Sequence, residues 1–94
     1  MGQVQRLQVM IHGRVQGVGF RNFAIHRASE LGLVGYVKNR WDGTVEVVAE
    51  GERTTLEQLL GHVRRGPRAA TIAKVDVTWL PATGEFDEFG ARFF

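Results

Sequence analysis

Leu7-Gln8-Val9-Met10-Ile11-His12, Gly13-Arg14-Val15-Gln16-Gly17-Val18-Gly19 and Phe20-Arg21-Asn22-Phe23-Ala24 follow one another without a break. In the first piece Leu7, Val9 and Ile11 alternate with Gln8, Met10 and His12. That is the period-2 pattern of a strand with one buried face, so strand 1 is expected to run to about His12. Beyond the glycines, Phe20, Phe23, Ala24, Ala28 and Leu31 recur at spacings of three or four and build one face of a helix. A glycine-rich loop thus feeds directly from a strand into a helix N-terminus.

Gly32 and Gly35 close that helix, and Tyr36-Val37-Lys38-Asn39 opens a second strand that turns through Asp42-Gly43 into Val45, Val47 and Ala49. Asp-Gly supplies the positive-φ positions that hairpin turns need. Thr55 with Gln58 three residues on reads as a capping box before Leu56, Leu59, Leu60 and Val63, predicting a second helix that Gly66-Pro67 stops. Ala73, Val75, Val77 and Trp79 alternate with Lys74, Asp76 and Thr78 as a fourth strand, and Phe89 to Phe94 offers a short fifth one after the Pro81 to Gly84 turn. The order βαββαβ requires two right-handed strand–helix–strand crossovers. Interleaved, they predict an α+β sandwich with one antiparallel sheet, both helices on a single face and a short C-terminal fifth strand.

The 94 residues suit one domain over 1–94, whose folding hides roughly 60 to 65% of the extended chain's surface. At 44% hydrophobic and 23% charged the composition is globular, and with no cysteine it excludes disulfide scaffolds, thiolate metal sites and cysteinyl-phosphate chemistry. Apolar runs are too short for a membrane span, and Met1 to Arg6 lacks the apolar stretch of a signal peptide, so a cytoplasmic protein with no membrane partner is expected. The net charge of +2 is a small excess, whereas non-specific nucleic-acid binding needs several clustered phosphate contacts. The one dense basic run, Arg64-Arg65 with Arg68, falls at an expected helix end where cations suit the dipole.

Chemistry concentrates in Gly13 to Arg21. Glycines between strand and helix let successive backbone N–H groups converge, and the helix start adds free N–H groups and partial positive charge, which together make an anion cradle. Arg21 adds a planar fork of donors matched to two phosphate or carboxylate oxygens. No Gly-Lys-Ser/Thr ending is present, and Asn22 stands where a dinucleotide loop needs its third glycine. The same glycines also fit a plain tight turn with Arg21 as a solvated first-turn residue, and loop composition does not choose between the two.

His12, His26 and His62 lie on three different elements without metal-ligand spacing and read as surface or core-edge residues. Ser29, placed mid-helix, has no nucleophile elbow around it. Asp42, Glu46 and Glu50 read as turn chemistry and a solvated sheet face, and Tyr36 and Trp41 as hairpin packing. A phosphate pocket without a cysteine, an evident serine or histidine nucleophile or a metal can still split an ester whose leaving group departs unaided. The carboxylate of an acyl phosphate is such a group, because its conjugate acid has a low pKa and needs no general acid. Two tasks remain, neutralising the phosphoryl oxygens and aiming a water in line. Arg21 can do the first, and an amide such as Asn39 the second, since it exchanges hydrogen bonds without repelling phosphate.

Gly13-Arg14-Val15-Gln16-Gly17-Val18-Gly19-Phe20-Arg21, then Gly35-Tyr36-Val37-Lys38-Asn39-Arg40-Trp41-Asp42-Gly43-Thr44-Val45-Glu46, then Gly66-Pro67 with Ala70 and Ile72, strongly resemble acylphosphatase. The resemblance covers nearly the whole chain; Tyr36, where a tryptophan is common, and Ala91 in the last strand depart from it. It implies a ferredoxin-like sandwich that hydrolyses carboxyl–phosphate bonds without metal or cofactor. A monomer acting on a small acyl phosphate is expected, with inorganic phosphate or sulfate as a competing ligand of the anion loop. It further implies that the loop amides of Arg14, Val15, Gln16, Gly17, Val18, Gly19 and Phe20, with the Arg21 side chain, bind phosphate. By the same resemblance Asn39 orients the attacking water, whose proton passes to the substrate's own phosphate. Two rivals belong to other classes. An RNA-binding module shares the element order, but strands 1 and 3 carry no stacking aromatics. A non-catalytic domain that holds acyl or carbamoyl phosphate inside a larger carbamoyl-transfer protein is disfavoured by a chain that ends after the domain.

Overall fold

The structure is a computed structural model and describes residues 3–93. In chain order its elements are β1 (Val4–Arg14), α1 (Phe20–Glu30), β2 (Val34–Asn39), β3 (Val45–Glu52), α2 (Arg53–Arg65), β4 (Thr71–Pro81) and β5 (Phe89–Arg92). They form one five-stranded sheet in the order β4-β1-β3-β2-β5. The alternation read in the first strand is a register: Leu7, Val9 and Ile11 face Ala49, Val47 and Val45 across the β1–β3 pair, and all six side chains are fully buried. Leu56, Leu59 and Val63 of α2 and Phe20, Ala24 and Ala28 of α1 join them in the same core, so both helices cover one sheet face.

Several boundaries differ from the expected ones for physical reasons. β1 runs two residues past His12 because a register shift at His12/Gly13 lets Gly13 and Arg14 continue pairing with Ile72 and Thr71 of β4. The sheet is mixed rather than wholly antiparallel: β5 lies parallel to β2, with Gly35 opposite Phe89 and Lys38 opposite Arg92. A long excursion after β4 brings the chain to the far sheet edge, and no tight hairpin dictates the direction of β5 there. The expected fifth strand extended to Phe94, which lies outside the described residues. The capping box at Thr55 and Gln58 does not form. β3 runs straight into α2, the extended Glu52 is the N-cap without a side-chain cap bond, and Thr55 lies within the first turn. Ser29 sits in the last turn of α1 rather than mid-helix.

The open sheet face is less solvated than its polar pattern suggests, because the segment after β4 folds back across it. Glu50 is 3% exposed and accepts hydrogen bonds from Arg6 Nε (2.7 Å), the Thr83 amide (2.9 Å), the Thr83 hydroxyl (3.1 Å) and the Gly84 amide (3.0 Å). Burial, the largest single influence, pushes the Glu50 carboxyl up. The two amides, Arg6 and the Thr83 hydroxyl together outweigh it and hold the pKa at about 2. Glu46 is also buried, accepting from Gln8 Nε2 at 2.9 Å and pairing with Arg40 at 3.4 Å. Arg6 also pairs with Glu85, and Arg92 stacks 3.9 Å over the Tyr36 ring. Tyr36 therefore packs against the C-terminal excursion, its ring 5.9 Å from that of Phe86, while Trp41 is 96% exposed and packs on nothing in the hairpin.

Candidate active site

The loop between β1 and α1 is anchored at one end and open at the other. Val15 buries its side chain in the core, and Val18 packs partly against it. Gln16 turns across to the β2–β3 connection, where its Nε2 donates to the carbonyls of Arg40 (2.6 Å) and Thr44 (2.9 Å). Gly17 and Gly19 take φ of 73° and 82°, left-handed values that a side chain would strain, and a Cβ at either would meet open space. The glycines are thus needed for backbone direction and not for close packing. Gly19 is the N-cap of α1, and the first backbone bond into the helix comes from Phe23 to the Gly19 carbonyl at 3.0 Å. The amides just ahead of Phe23 have no acceptor inside the helix and carry the positive end of its dipole.

Arg21 is half-buried in that first turn, its guanidinium 5.1 Å from the centre of the Phe93 ring. Among the described residues no carboxylate lies within ion-pair reach of it. Asn39 ends β2 on the other side of the pocket, paired with Val45. Its Oδ1 is buried and has no hydrogen-bond partner. The turn beyond it is stiff: Asp42 Oδ1 accepts from the Thr44 amide (3.0 Å) and hydroxyl (2.6 Å), and these bonds, the hydroxyl's first, hold the Asp42 carboxyl below the usual range. Together with the Gln16 bridge this ties Asn39 to the glycine loop.

Between these elements lies a cavity of about 210 Å³ lined by Val15, Gly17, Gly19, Phe20, Arg21 and Asn39, with Asn22, Ala91 and Phe93 at its remaining walls. Of the residues expected to form the site, these six come together. Arg14, Gln16 and Val18 do not line it: Arg14 is exposed at the end of β1, and the other two side chains brace the loop. The sequence reading missed Ala91 and Phe93. The signal was present in Phe89, Ala91 and Phe93, whose spacing of two places them on one side of a strand whose first member is buried. His12, His26 and His62 stay apart, each beside a charged neighbour: Asp76 at 2.9 Å, Glu30 at 3.5 Å and Arg65 at 3.3 Å.

The cavity is below the roughly 300–1,000 Å³ of pockets that enclose drug-sized ligands, and Arg21 is the only charged side chain among the residues lining it. A cavity of that size and sign suits a small phosphoryl-type anion better than a nucleotide. Its relatives are more specific. A family model described as acylphosphatase matches residues 7–91. The acylphosphatase of Methylococcus capsulatus is 49% identical over 86 residues, covering 92% of this chain and 94% of that one. That of Thermus thermophilus is 54% identical over 79 residues, 84% of this chain and 90% of its own. The crystal structure of acylphosphatase from Bacillus subtilis superposes with a TM-score of 0.90 at 34% identity, covering 94% of this chain and 98% of that one. The chain belongs to the acylphosphatase family of enzymes, and its fold is the ferredoxin-like sandwich of that family.

Proposed function

We propose that this acylphosphatase hydrolyses the carboxyl–phosphate bond of small acyl phosphates by direct attack of water, with Arg21 and the loop amides holding the phosphoryl group and Asn39 orienting the water. The observation that carries the assignment of roles is the buried, unpartnered Oδ1 of Asn39, a residue that lines one cavity with Arg21 and the left-handed glycines. A buried acceptor without a partner costs about 1–3 kcal/mol. A water donating to it recovers that cost and is held within reach of the cradle. The Arg21 fork and the amides around Gly17 to Phe20 neutralise the phosphoryl oxygens as the water oxygen bonds to phosphorus and the phosphorus–carboxyl oxygen bond breaks. The carboxylate leaves without a proton because its conjugate acid has a pKa well below neutral, and the water's proton passes to a phosphoryl oxygen. All the positive charge this needs comes from the chain, so the reading calls for no metal or cofactor.

The same reading has the protein acting as a cytoplasmic monomer on a small molecule, with inorganic phosphate or sulfate competing and no nucleic acid involved. It is supported by a small pocket whose one charged side chain is Arg21 and by the modest net charge. No helix among the described residues is long and apolar enough to cross a membrane. The test is a release assay in excess chelator comparing an acyl phosphate with an alkyl phosphate monoester. Rapid release from the first alone is expected. Equal rates on both, or activity that returns only on adding a divalent ion, would overturn the mechanism.

A further inference from the structure

The basic run Arg64, Arg65 and Arg68 has no part in the mechanism above, yet the fold carries it to the site's end of the sandwich. The turn that stops α2 lies against the first turn of α1: a Cβ on Gly66 would sit 3.0 Å from the ring of Phe20, which lines the cavity. The Ala70 amide then donates to the Pro67 carbonyl at 3.0 Å, a turn that keeps Arg68 at the same end. All three arginines are exposed. Among the described residues no carboxylate lies within ion-pair reach of them, and Arg65 meets the His62 ring at 3.3 Å. Cations of the far end are tied to acids, Arg6 to Glu50 and Glu85, Arg27 to Glu30 and Arg53 to Glu57. The acids without a cation show the opposite bias: Glu52 closes β3 and Asp87 and Glu88 precede β5, all at the far end, whereas Asp42 alone lies beside the site. Uncompensated positive charge is therefore gathered on the site's side. A helix C-terminus accounts for Arg64 and Arg65, but Arg68 lies beyond Pro67, outside the helix.

We propose that Arg64, Arg65 and Arg68 are steering residues, which raise the concentration of anionic substrate at the glycine loop by long-range attraction and so lower KM without touching the substrate. The proposal rests on the phosphoryl group binding beside Arg21. None of the three lines the cavity, so their effect is carried by the field and not by hydrogen bonds. Such a field depends on charge alone, and lysine serves as well as arginine, in contrast to the planar fork required at Arg21. It also depends on salt. The described residues extend 37 Å at most, comparable with the screening length of about 30 Å at 10 mM ionic strength and far beyond the roughly 5–6 Å at 0.3 M. Three such cations acting on a dianion across about 15 Å of water change its local concentration about fivefold at the lower salt and less than about 1.5-fold at the higher.

The test compares the parent with two triple variants, Arg64→Gln/Arg65→Gln/Arg68→Gln and Arg64→Lys/Arg65→Lys/Arg68→Lys, and with the single variant Arg68→Gln, which cannot unravel α2. For each, kcat and KM for acetyl phosphate and the Kd of inorganic phosphate are measured at 10 mM and at 0.3 M ionic strength, after circular dichroism has shown a native fold. At 10 mM the glutamine triple is expected to raise KM and the phosphate Kd about fivefold with kcat changed less than about twofold, and both gaps should close at 0.3 M. The lysine triple should stay within about twofold of the parent throughout, and Arg68→Gln should show a smaller rise of the same salt dependence. The phosphate arm needs no turnover, so it reads steering even if the hydrolytic reading fails. No gap at 10 mM in either measurement overturns the proposal. A gap that persists unchanged at 0.3 M, or a lysine triple as impaired as the glutamine one, also overturns it, because the arginines would then act by contact.

Discussion

Replacing Glu50 by glutamine tests how the segment after β4 is held to the open sheet face. The two groups have the same shape, so packing is preserved and only charge and one acceptor are lost. Glu50 Oε2 takes three of the four hydrogen bonds, from Arg6, the Thr83 amide and the Thr83 hydroxyl, and Oε1 takes the Gly84 amide. A glutamine can keep its oxygen at the first position, but its amino group then points a donor at the Gly84 N–H. One buried donor is left unpaired, the two Thr83 bonds become neutral and Arg6 loses one anionic partner, which costs on the order of 2–4 kcal/mol. Linkage gives an independent figure. The carboxyl is held at about 2 against an ordinary 4.5, and at one pKa unit per roughly 1.4 kcal/mol, discounted for screening near the surface, this contributes about 2–3 kcal/mol. Because the folded pKa is depressed, that stability is fully present above pH 4.5 and is lost as the pH falls towards 2. At pH 7 the glutamine variant should melt about 10–20 °C lower. In urea titrations from pH 7 to 2.5 the gap between the two proteins should close below pH 4.5. A variant as stable as the parent at pH 7, or a gap that stays constant down to pH 2.5, would refute the reasoning.

Asn39→Ala should lower turnover of acyl phosphate about a hundredfold or more, the scale of losing one positioned polar group, while thermal protection by phosphate stays nearly intact; parental turnover in the folded variant would assign water positioning elsewhere. Arg21→Lys keeps the charge but not the planar fork and should lose both phosphate protection and turnover by at least tenfold, measured by thermal shift and release assay. Phosphate or sulfate should raise the melting temperature of the parent by mass action, and Gly19→Val, which puts a β-branched residue at φ 82°, should abolish that protection at equal ligand concentration.

The fold was legible wherever a local rule had no long-range competitor. Leu7, Val9 and Ile11 alternate because their side of β1 faces the core under the helices, and Gly66 ends α2 as expected. Local rules failed where a distant segment decided the outcome. Glu46 and Glu50 carry the same period-2 signature as a wetted face, and what buries Glu50 arrives 33 and 34 residues later with Thr83 and Gly84. The Thr55–Gln58 spacing is a valid capping signature, but β3 enters α2 without a loop, which moves the N-cap to Glu52. Tyr36 looked like hairpin packing because its partner Phe86 is 50 positions away.

The pocket divides along the same line. The half that we propose holds the anion is one continuous stretch, Val15 to Arg21, whose glycines and helix start advertise their chemistry in sequence order. Its other half is assembled from the end of β2 and from β5, elements that become neighbours only when β5 crosses the fold to run parallel to β2. Asn39 shows the difference most sharply. In the sequence it is an amide at a strand end, one of several residue types that could aim a water. In the fold its Oδ1 is buried without a partner, on a residue that lines the same cavity as Arg21. A protein core does not retain an unpaired acceptor without cost, and the proposed water, by donating to this oxygen, would offset that cost. The role proposed for Arg21 can be read from its neighbours in the chain, whereas the one proposed for Asn39 draws its support from burial, a property of the packed structure alone.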